Sequence, residues 1–139
     1  MSSTQKFGKL IGASLGPGDP ELITRRSWAV LQSGARWIYP VKKAAEASYA
    51  LSIVERGGLP VPADAVSLIF PMTRDAELLA KAWLRAAEQT VKLLAEGRDL
   101  VFLVEGDAST FATFGHLARI ARELAPEIEV ETIPGVSSF

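Results

Sequence analysis

The chain has 139 residues, of which 48% are hydrophobic and 22% are charged, and its net charge is −1. This balance is typical of one globular domain, and the lack of a basic excess argues against a nucleic-acid partner. There are no cysteines, which excludes disulfides, thiolate metal ligands and a cysteine nucleophile. Residues 1–5 show no signal pattern, and no apolar run approaches the roughly 20 residues of a membrane span. We therefore expect a soluble, cytoplasmic protein that contacts no membrane.

The predicted elements alternate between strands and helices. In chain order they are a strand at 9–14, a helix at 20–34, a strand at 36–40, an ambiguous helix at 44–56, a strand at 66–70, a helix at 75–97, a strand at 100–107, a helix at 109–124 and a strand at 127–133. Asp19 is the predicted N-cap of the first helix, with Pro20 at its first position and Gly34 at its end. The proline at position 40 is expected to stop the second strand.

The strand that begins at Leu100 is apolar on both faces, as the run LVFLV shows. Such strands occur in parallel sheets that are covered by helices on both sides. The sequence therefore predicts an α/β fold with a mostly parallel, five-stranded sheet flanked by helices. Because a helix normally follows the last strand of such a unit, we expect further structure beyond Phe139.

Three loops that follow predicted strands combine glycine with small or hydroxyl residues. They are SLGPGDPE at 14–21, EGDAST at 105–110 and PGVSSF at 134–139. In open parallel sheets, ligands bind at the carboxyl ends of the strands, so these loops are the candidate site. The two carboxylates of EGD, after a strand buried on both faces, favour a ligand or partner at that point.

The first loop does not match a phosphate-binding motif. A dinucleotide fingerprint requires a third glycine where this chain has Glu21, and no Walker A sequence occurs. Pro17 and Pro20 each lack an N–H donor, and Asp19 puts a negative charge where a pyrophosphate would bind. A metal site is not expected either, because His116 is the only histidine and has no second ligand one helical turn away.

The three motifs together resemble the tetrapyrrole methylases, a family that methylates uroporphyrinogen and precorrins with S-adenosylmethionine. GASLGPGDPELIT is similar to the family's N-terminal signature. EGD followed by Thr110, Thr113 and Phe114, and then EVETIPGVSSF, resemble its second and third loops in order and spacing. The resemblance spans nearly the whole chain, and the combination is more specific than any single motif.

The resemblance implies a two-domain protein that binds S-adenosylmethionine between an N-terminal and a C-terminal α/β domain. This chain, residues 1–139, corresponds to the N-terminal domain, and the second domain is absent from it. The implied cofactor-binding residues are Pro17, Glu105, Gly106, Asp107, Thr110, Ser137 and Ser138. The family usually has proline after GD, whereas this chain has Ala108, which is expected to loosen that loop and to leave the Asp107 carboxylate in place. A homodimer is also implied.

Within the family, YPVKK at 39–43 and FPMTRD at 70–75 are most similar to the branch that methylates precorrin-2 at C(20) in cobalamin biosynthesis. The sequence assigns no catalytic residue, and Asp19 and Tyr39 are the candidates for the proton acceptor. Basic side chains are candidate contacts for the substrate's carboxylates: Arg25, Arg26, Lys42, Lys43 and Arg74. A cobalt-containing substrate, another tetrapyrrole, and a non-catalytic binding or assembly module remain alternatives, and a dinucleotide-binding domain comes last.

Overall fold

All five strands form one parallel sheet, so the predicted α/β class is confirmed. The computed structural model describes residues 7–43, 47–105 and 108–135. The elements are β1 (Leu10–Ser14), a 3₁₀ turn (Pro20–Leu22), α1 (Arg25–Leu31), β2 (Arg36–Val41), α2 (Tyr49–Arg56), β3 (Val66–Ile69), α3 (Ala76–Leu94), β4 (Leu100–Val104), α4 (Ala108–Leu124) and β5 (Val130–Ile133). Within the part of the chain that the structure describes, no helix combines the length and hydrophobicity needed to cross a lipid bilayer.

The sheet order is β3-β2-β4-β1-β5, which places β4 at its centre. All residues of β4 are buried, and they alternate between two hydrophobic clusters. Leu100, Phe102 and Val104 pack with residues of α3 and α4, whereas Val101 and Leu103 pack with residues of α1 and α2. The predicted burial of this strand on both faces is confirmed.

The two core clusters show that the helices change sides of the sheet. α1, which follows β1, packs on one face, and α4, which follows β4, packs on the other. Since β1 and β4 are neighbours, the chain leaves them in opposite directions and opens a crevice at their carboxyl ends. This is the arrangement that forms ligand sites in open α/β sheets.

The prediction of one continuous helix at 20–34 is wrong. Asp19 caps only the 3₁₀ turn, because its Oδ1 accepts from the Glu21 N–H at 2.9 Å. Ile23 and Thr24 then have extended backbone angles, and α1 begins at Arg25 with Thr24 as its N-cap. A β-branched hydroxyl residue that accepts the N–H three positions ahead is a strong helix start, which explains the break.

The second strand does not stop at Pro40 but continues to Val41. Backbone N–H groups along a strand alternate between its two neighbours, and the Arg36 N–H points toward β4, where it donates to the Asp99 carbonyl at 2.9 Å. A backbone N–H at position 40 would therefore also point toward β4, but the pairing of β2 with β4 ends at Ile38. The proline thus removes no hydrogen bond from the described ladder and is tolerated there.

An ion pair ties the loop before β3 to the turn before β4. Arg98 Nη1 lies 2.5 Å from Asp64 Oδ2, and this hydrogen bond holds the pKa of the Asp64 carboxyl below its usual value. A lowered folded-state pKa stabilises the fold above the unfolded pKa of about 3.9, and that stabilisation is lost as the pH falls through the folded pKa. Asp64→Asn should therefore lower the free energy of unfolding by about 0.5–1 kcal/mol at pH 7, because both side chains are partly exposed.

The measurement is urea unfolding of this chain and its variant at pH 7 and at successively lower pH below 4. The difference between the two proteins should shrink as the pH falls. Lys81→Gln, which breaks the more exposed pair between Lys81 and Glu77, is the control and should change stability less. A difference for Asp64→Asn that stays constant with pH would contradict the assignment.

Candidate functional site

The described parts of the three motif loops lie side by side at the carboxyl ends of the strands. They follow β4, β1 and β5, and these strands are adjacent in the sheet order. The Leu15 N–H donates to the Val104 carbonyl at 2.8 Å and extends the pairing of β1 with β4 into the first loop. The expectation that the motifs gather at the carboxyl ends of neighbouring strands is therefore confirmed for the described parts of the loops.

The first and third loops touch at Gly135. A Cβ atom added there would overlap Ser14 Oγ and lie 3.3 Å from Gly16 Cα, so the two loops leave no room for a side chain. Ser14 is buried, and its Oγ accepts from the Gly16 N–H at 3.1 Å. Gly16 has a φ of +73°, which favours glycine. The contact fixes the backbone of the first loop against the start of the third.

The second loop begins with Glu105, which is half-buried at the end of β4. Glu105 lines a cavity of about 520 Å³ together with Thr110 and Thr113 of α4. The rest of the lining comes from residues of β2, of the segments after β2 and β3, and of the first turn of α2. The remaining second-loop and third-loop candidates lie outside the described residues: Gly106, Asp107, Ser137 and Ser138.

Helix α2 holds the first loop, and sequence reasoning did not identify this. An Arg56 guanidinium N–H donates to the Gly18 carbonyl at 3.1 Å. At the other end of α2, the Tyr49 hydroxyl packs so closely on Gly18 that an added Cβ would lie 2.7 Å from it. Gly18 has a φ of +120°. No local pattern links positions 18, 49 and 56, so only the tertiary structure shows the contact.

The candidate proton acceptors occupy different environments. Asp19 is exposed, and its carboxylate already caps the 3₁₀ turn. Tyr39 lies on β2, half-buried against the α1 and α2 side of the core. Among the described side chains, no group of three histidines or carboxylates is arranged as metal ligands would be.

The candidate substrate contacts divide into two groups. Lys42 and Lys43 follow β2, and Arg74 follows β3, so all three lie in segments at the carboxyl ends of strands. Arg25 and Arg26 are exposed on the first turn of α1. Arg26 pairs with Glu131 of β5, and Lys9 Nζ lies 3.3 Å from the same carboxylate. The hydrogen bond from Lys9, together with Arg26, lowers the pKa of the Glu131 carboxyl, which gives Arg26 a partner within the fold.

Comparison with known proteins identifies relatives over nearly the whole chain. The Cobalt-precorrin-2 C(20)-methyltransferase of Salmonella typhimurium is 35% identical over 132 residues, which are 95% of this chain and 54% of that protein. The Precorrin-2 C(20)-methyltransferase of Sinorhizobium sp is 30% identical over 140 residues, which correspond to 95% of this chain and 55% of that protein. The chain thus spans about half the length of the relatives it matches.

A solved structure shows the same fold. The uroporphyrin-III C-methyl transferase of Thermus thermophilus, in complex with S-adenosyl homocysteine, superposes with a TM-score of 0.60 at 21% identity, over 94% of this chain and 46% of that chain. The family model for tetrapyrrole (corrin/porphyrin) methylases matches residues 9–139, which include all three motif loops. The resemblance inferred from those loops is therefore confirmed, and the chain belongs to the tetrapyrrole methylase family.

Proposed function

We propose that this chain is the N-terminal domain of a methyltransferase that uses S-adenosylmethionine to methylate precorrin-2 at C(20), which gives precorrin-3A in cobalamin biosynthesis. The observation that carries the proposal is that β4, β1 and β5 are neighbours in the sheet, so that the described parts of the three motif loops meet at their carboxyl ends. The family is dependent on S-adenosylmethionine, and relatives named for C(20) methylation cover this chain almost completely.

The described residues fit such a cofactor. Gly16 and Gly135 carry no side chain where the first and third loops meet, so a ligand beside this junction can approach the main chain closely. Glu105 and Thr110 add a carboxylate and a hydroxyl beside that junction, which suit an ammonium group and ribose hydroxyls. In our proposal these two side chains bind the cofactor with Pro17, Gly106, Asp107, Ser137 and Ser138.

The reaction depends mainly on the orientation of the methyl donor relative to the substrate. When bound, S-adenosylmethionine supplies a methyl group on a cationic sulfur: the C–S bond breaks, sulfur keeps the electron pair, and a C–C bond forms to an electron-rich ring carbon. The protein must hold carbon, methyl and sulfur in line, and this needs no protein nucleophile. Asp19 or Tyr39 would accept the proton that leaves the ring carbon. The capping bond of Asp19 occupies one of its oxygens and leaves the other to act.

The substrate side of the proposal rests on charge. Precorrin-2 carries many carboxylates, and Lys42, Lys43 and Arg74 lie at the carboxyl ends of β2 and β3, on the same edge of the sheet as the motif loops. Arg25 and Arg26 stand at the first turn of α1 and are further candidates, although Arg26 already pairs with Glu131. The substrate is metal-free precorrin-2 or its cobalt complex, and relatives of both names match this chain.

We further propose that a second α/β domain completes the cleft, that the complete protein is a homodimer, and that it works in the cytoplasm. The half-length match to the relatives supports the first point. The alternative function is a binding or assembly module without activity of its own. Assaying the complete open reading frame that contains this chain for methylation of precorrin-2 and of its cobalt complex separates these functions.

Binding of S-adenosylhomocysteine tests the cofactor site. Asp107→Ala in the complete open reading frame should weaken binding in calorimetry by about 10- to 100-fold, the cost of losing a hydrogen bond to a charged group. Glu88→Ala, which removes an exposed carboxylate from α3, is the matched control and should leave the Kd unchanged. Unaltered binding in Asp107→Ala would refute the site assignment, and tighter binding of NADH than of S-adenosylhomocysteine would refute the function.

A further inference from the structure

The cavity of about 520 Å³ beside the motif loops is lined by two chemically different kinds of side chain. Lys42, Glu105 and Thr110 contribute polar groups. Tyr49, Phe70 and Met72 contribute largely apolar ones. Such a combination fits a ligand with a flat, apolar body and acidic substituents, since a basic group and apolar side chains serve the two parts separately.

Two of the apolar side chains are unusually accessible. Met72 is 80% exposed and Tyr49 is 54% exposed, although both line a concave site. Phe70, in contrast, is half-buried and packs on Trp83 of α3 with ring centroids 4.8 Å apart, which anchors that part of the wall. The cavity thus places the Tyr49 ring and the flexible Met72 side chain beside the anchored Phe70 ring. Such a surface can adapt to a large planar ligand.

Tyr49 belongs to this wall and to the first loop at the same time. Its ring lines the cavity, while its hydroxyl rests on Gly18. Arg56, one helix length away, donates to the Gly18 carbonyl, so both ends of α2 fix the same glycine. Tyr49 therefore connects the lining of the cavity to the loop that carries Pro17.

We propose that Tyr49 is a positioning residue that couples the tetrapyrrole to the methyl-donor loop. Its ring, with Phe70 and Met72, packs against one edge of the macrocycle, and its hydroxyl sets the position of Gly18. This proposal rests on the proposed function, because it takes the tetrapyrrole as substrate. Coupling of this kind matters for methyl transfer, since a misplacement of about 1 Å between reacting groups costs on the order of 100-fold in rate.

Two substitutions of Tyr49 separate its ring from its hydroxyl. In the complete open reading frame, Tyr49→Phe should lower kcat for precorrin-2 about 3- to 10-fold and leave KM unchanged, because only the contact with Gly18 is lost. Tyr49→Ala should also raise KM about tenfold, as expected for an aromatic contact worth about 1.5 kcal/mol. Glu55→Ala, an exposed change on α2, is the control and should alter neither constant.

The contact itself is tested by Gly18→Ala, whose new Cβ would meet the Tyr49 hydroxyl. This variant should lower kcat, and Tyr49→Phe in the same chain should restore part of kcat, although the backbone strain at position 18 remains in both. Fluorescence titration with uroporphyrin, a stable porphyrin octacarboxylate, gives a readout without turnover, and Tyr49→Ala should weaken this binding about tenfold.

The outcomes distinguish the two proposals. If the wild-type protein is active and the Tyr49 variants match it in kcat, KM and uroporphyrin affinity, the role of Tyr49 is refuted and the proposed function stands. Wild-type protein that binds S-adenosylhomocysteine but neither binds uroporphyrin nor methylates precorrin-2 would overturn the substrate and this inference together. Circular dichroism of each variant confirms folding, which the half-exposed position of Tyr49 favours.

Discussion

Alanine at position 135 is expected to lower the free energy of unfolding of this chain by about 1–3 kcal/mol, the usual cost of overpacking a tight contact. The new Cβ would overlap Ser14 Oγ and lie 2.9 Å from Ser14 Cβ. Rotation of the hydroxyl would relieve only the first of these contacts and would cost the bond from the Gly16 N–H. Urea unfolding of this chain measures the loss.

The same substitution should weaken S-adenosylhomocysteine binding to the complete protein by more than tenfold if the loops after β1 and β5 form the cofactor cradle. The paired change Ser14→Gly with Gly135→Ala removes both clashing atoms and should recover most of the stability, but not the hydrogen bond to Gly16. A Gly135→Ala protein with wild-type stability would mean that the first and third loops are not in contact. Lost stability with unchanged affinity would instead separate this junction from the cofactor site.

Local signals were sufficient for much of the fold. The helix predicted at 75–97 is α3 at Ala76–Leu94, with Asp75 as its N-cap. The prediction succeeded because the apolar spacing and the capping residue both indicate the same helix. The buried strand β4 and the position of the motif loops at the strand ends could likewise be predicted from the sequence. The start of the first helix was predicted wrongly because Asp19 followed by Pro20 is a typical helix start. The actual N-cap, Thr24, is a weaker signal in the sequence.

The candidate site was predictable in outline and not in its contacts. A parallel sheet brings the loops after its strands to one edge, but the order that makes β4, β1 and β5 neighbours follows from tertiary packing. Arg56 of α2 contacts Gly18, which lies 38 positions earlier in the chain, through its long side chain. No periodicity in the sequence predicts this contact. The roles of the individual site residues, the second domain and the homodimer stay predictions for the experiments above.

Gly12 and Phe114 form a second glycine contact, which seats α4 on β1. A Cβ added at Gly12 would lie 2.5 Å from Phe114 Cε2 and 2.7 Å from two other ring atoms. Phe114 is buried, and its ring centroid lies 5.5 Å from that of Phe102 in β4. Gly12→Ala should therefore lower the free energy of unfolding by about 1–3 kcal/mol, and Phe114→Ala by about 3–5 kcal/mol.

The double variant decides whether the two effects share one cause. With the ring removed, the methyl group added at position 12 occupies part of the cavity, so Gly12→Ala combined with Phe114→Ala should cost less than the sum by about 0.5–3 kcal/mol. Gly115→Ala, at the next position of α4 with no atom within 4 Å of its Cβ, should instead stabilise the chain by about 0.5–1 kcal/mol. Strict additivity of the first pair would refute the contact.

The contact also bears on the site, because Thr110 and Thr113 precede Phe114 on α4 and line the cavity. A methyl group on β1 that pushes the Phe114 ring outward shifts this wall away from Glu105. In the complete protein, Gly12→Ala should therefore weaken S-adenosylhomocysteine binding at temperatures where the variant is still fully folded, whereas Gly115→Ala should not. Equal affinity in folded Gly12→Ala would show that the seating of α4 serves stability alone.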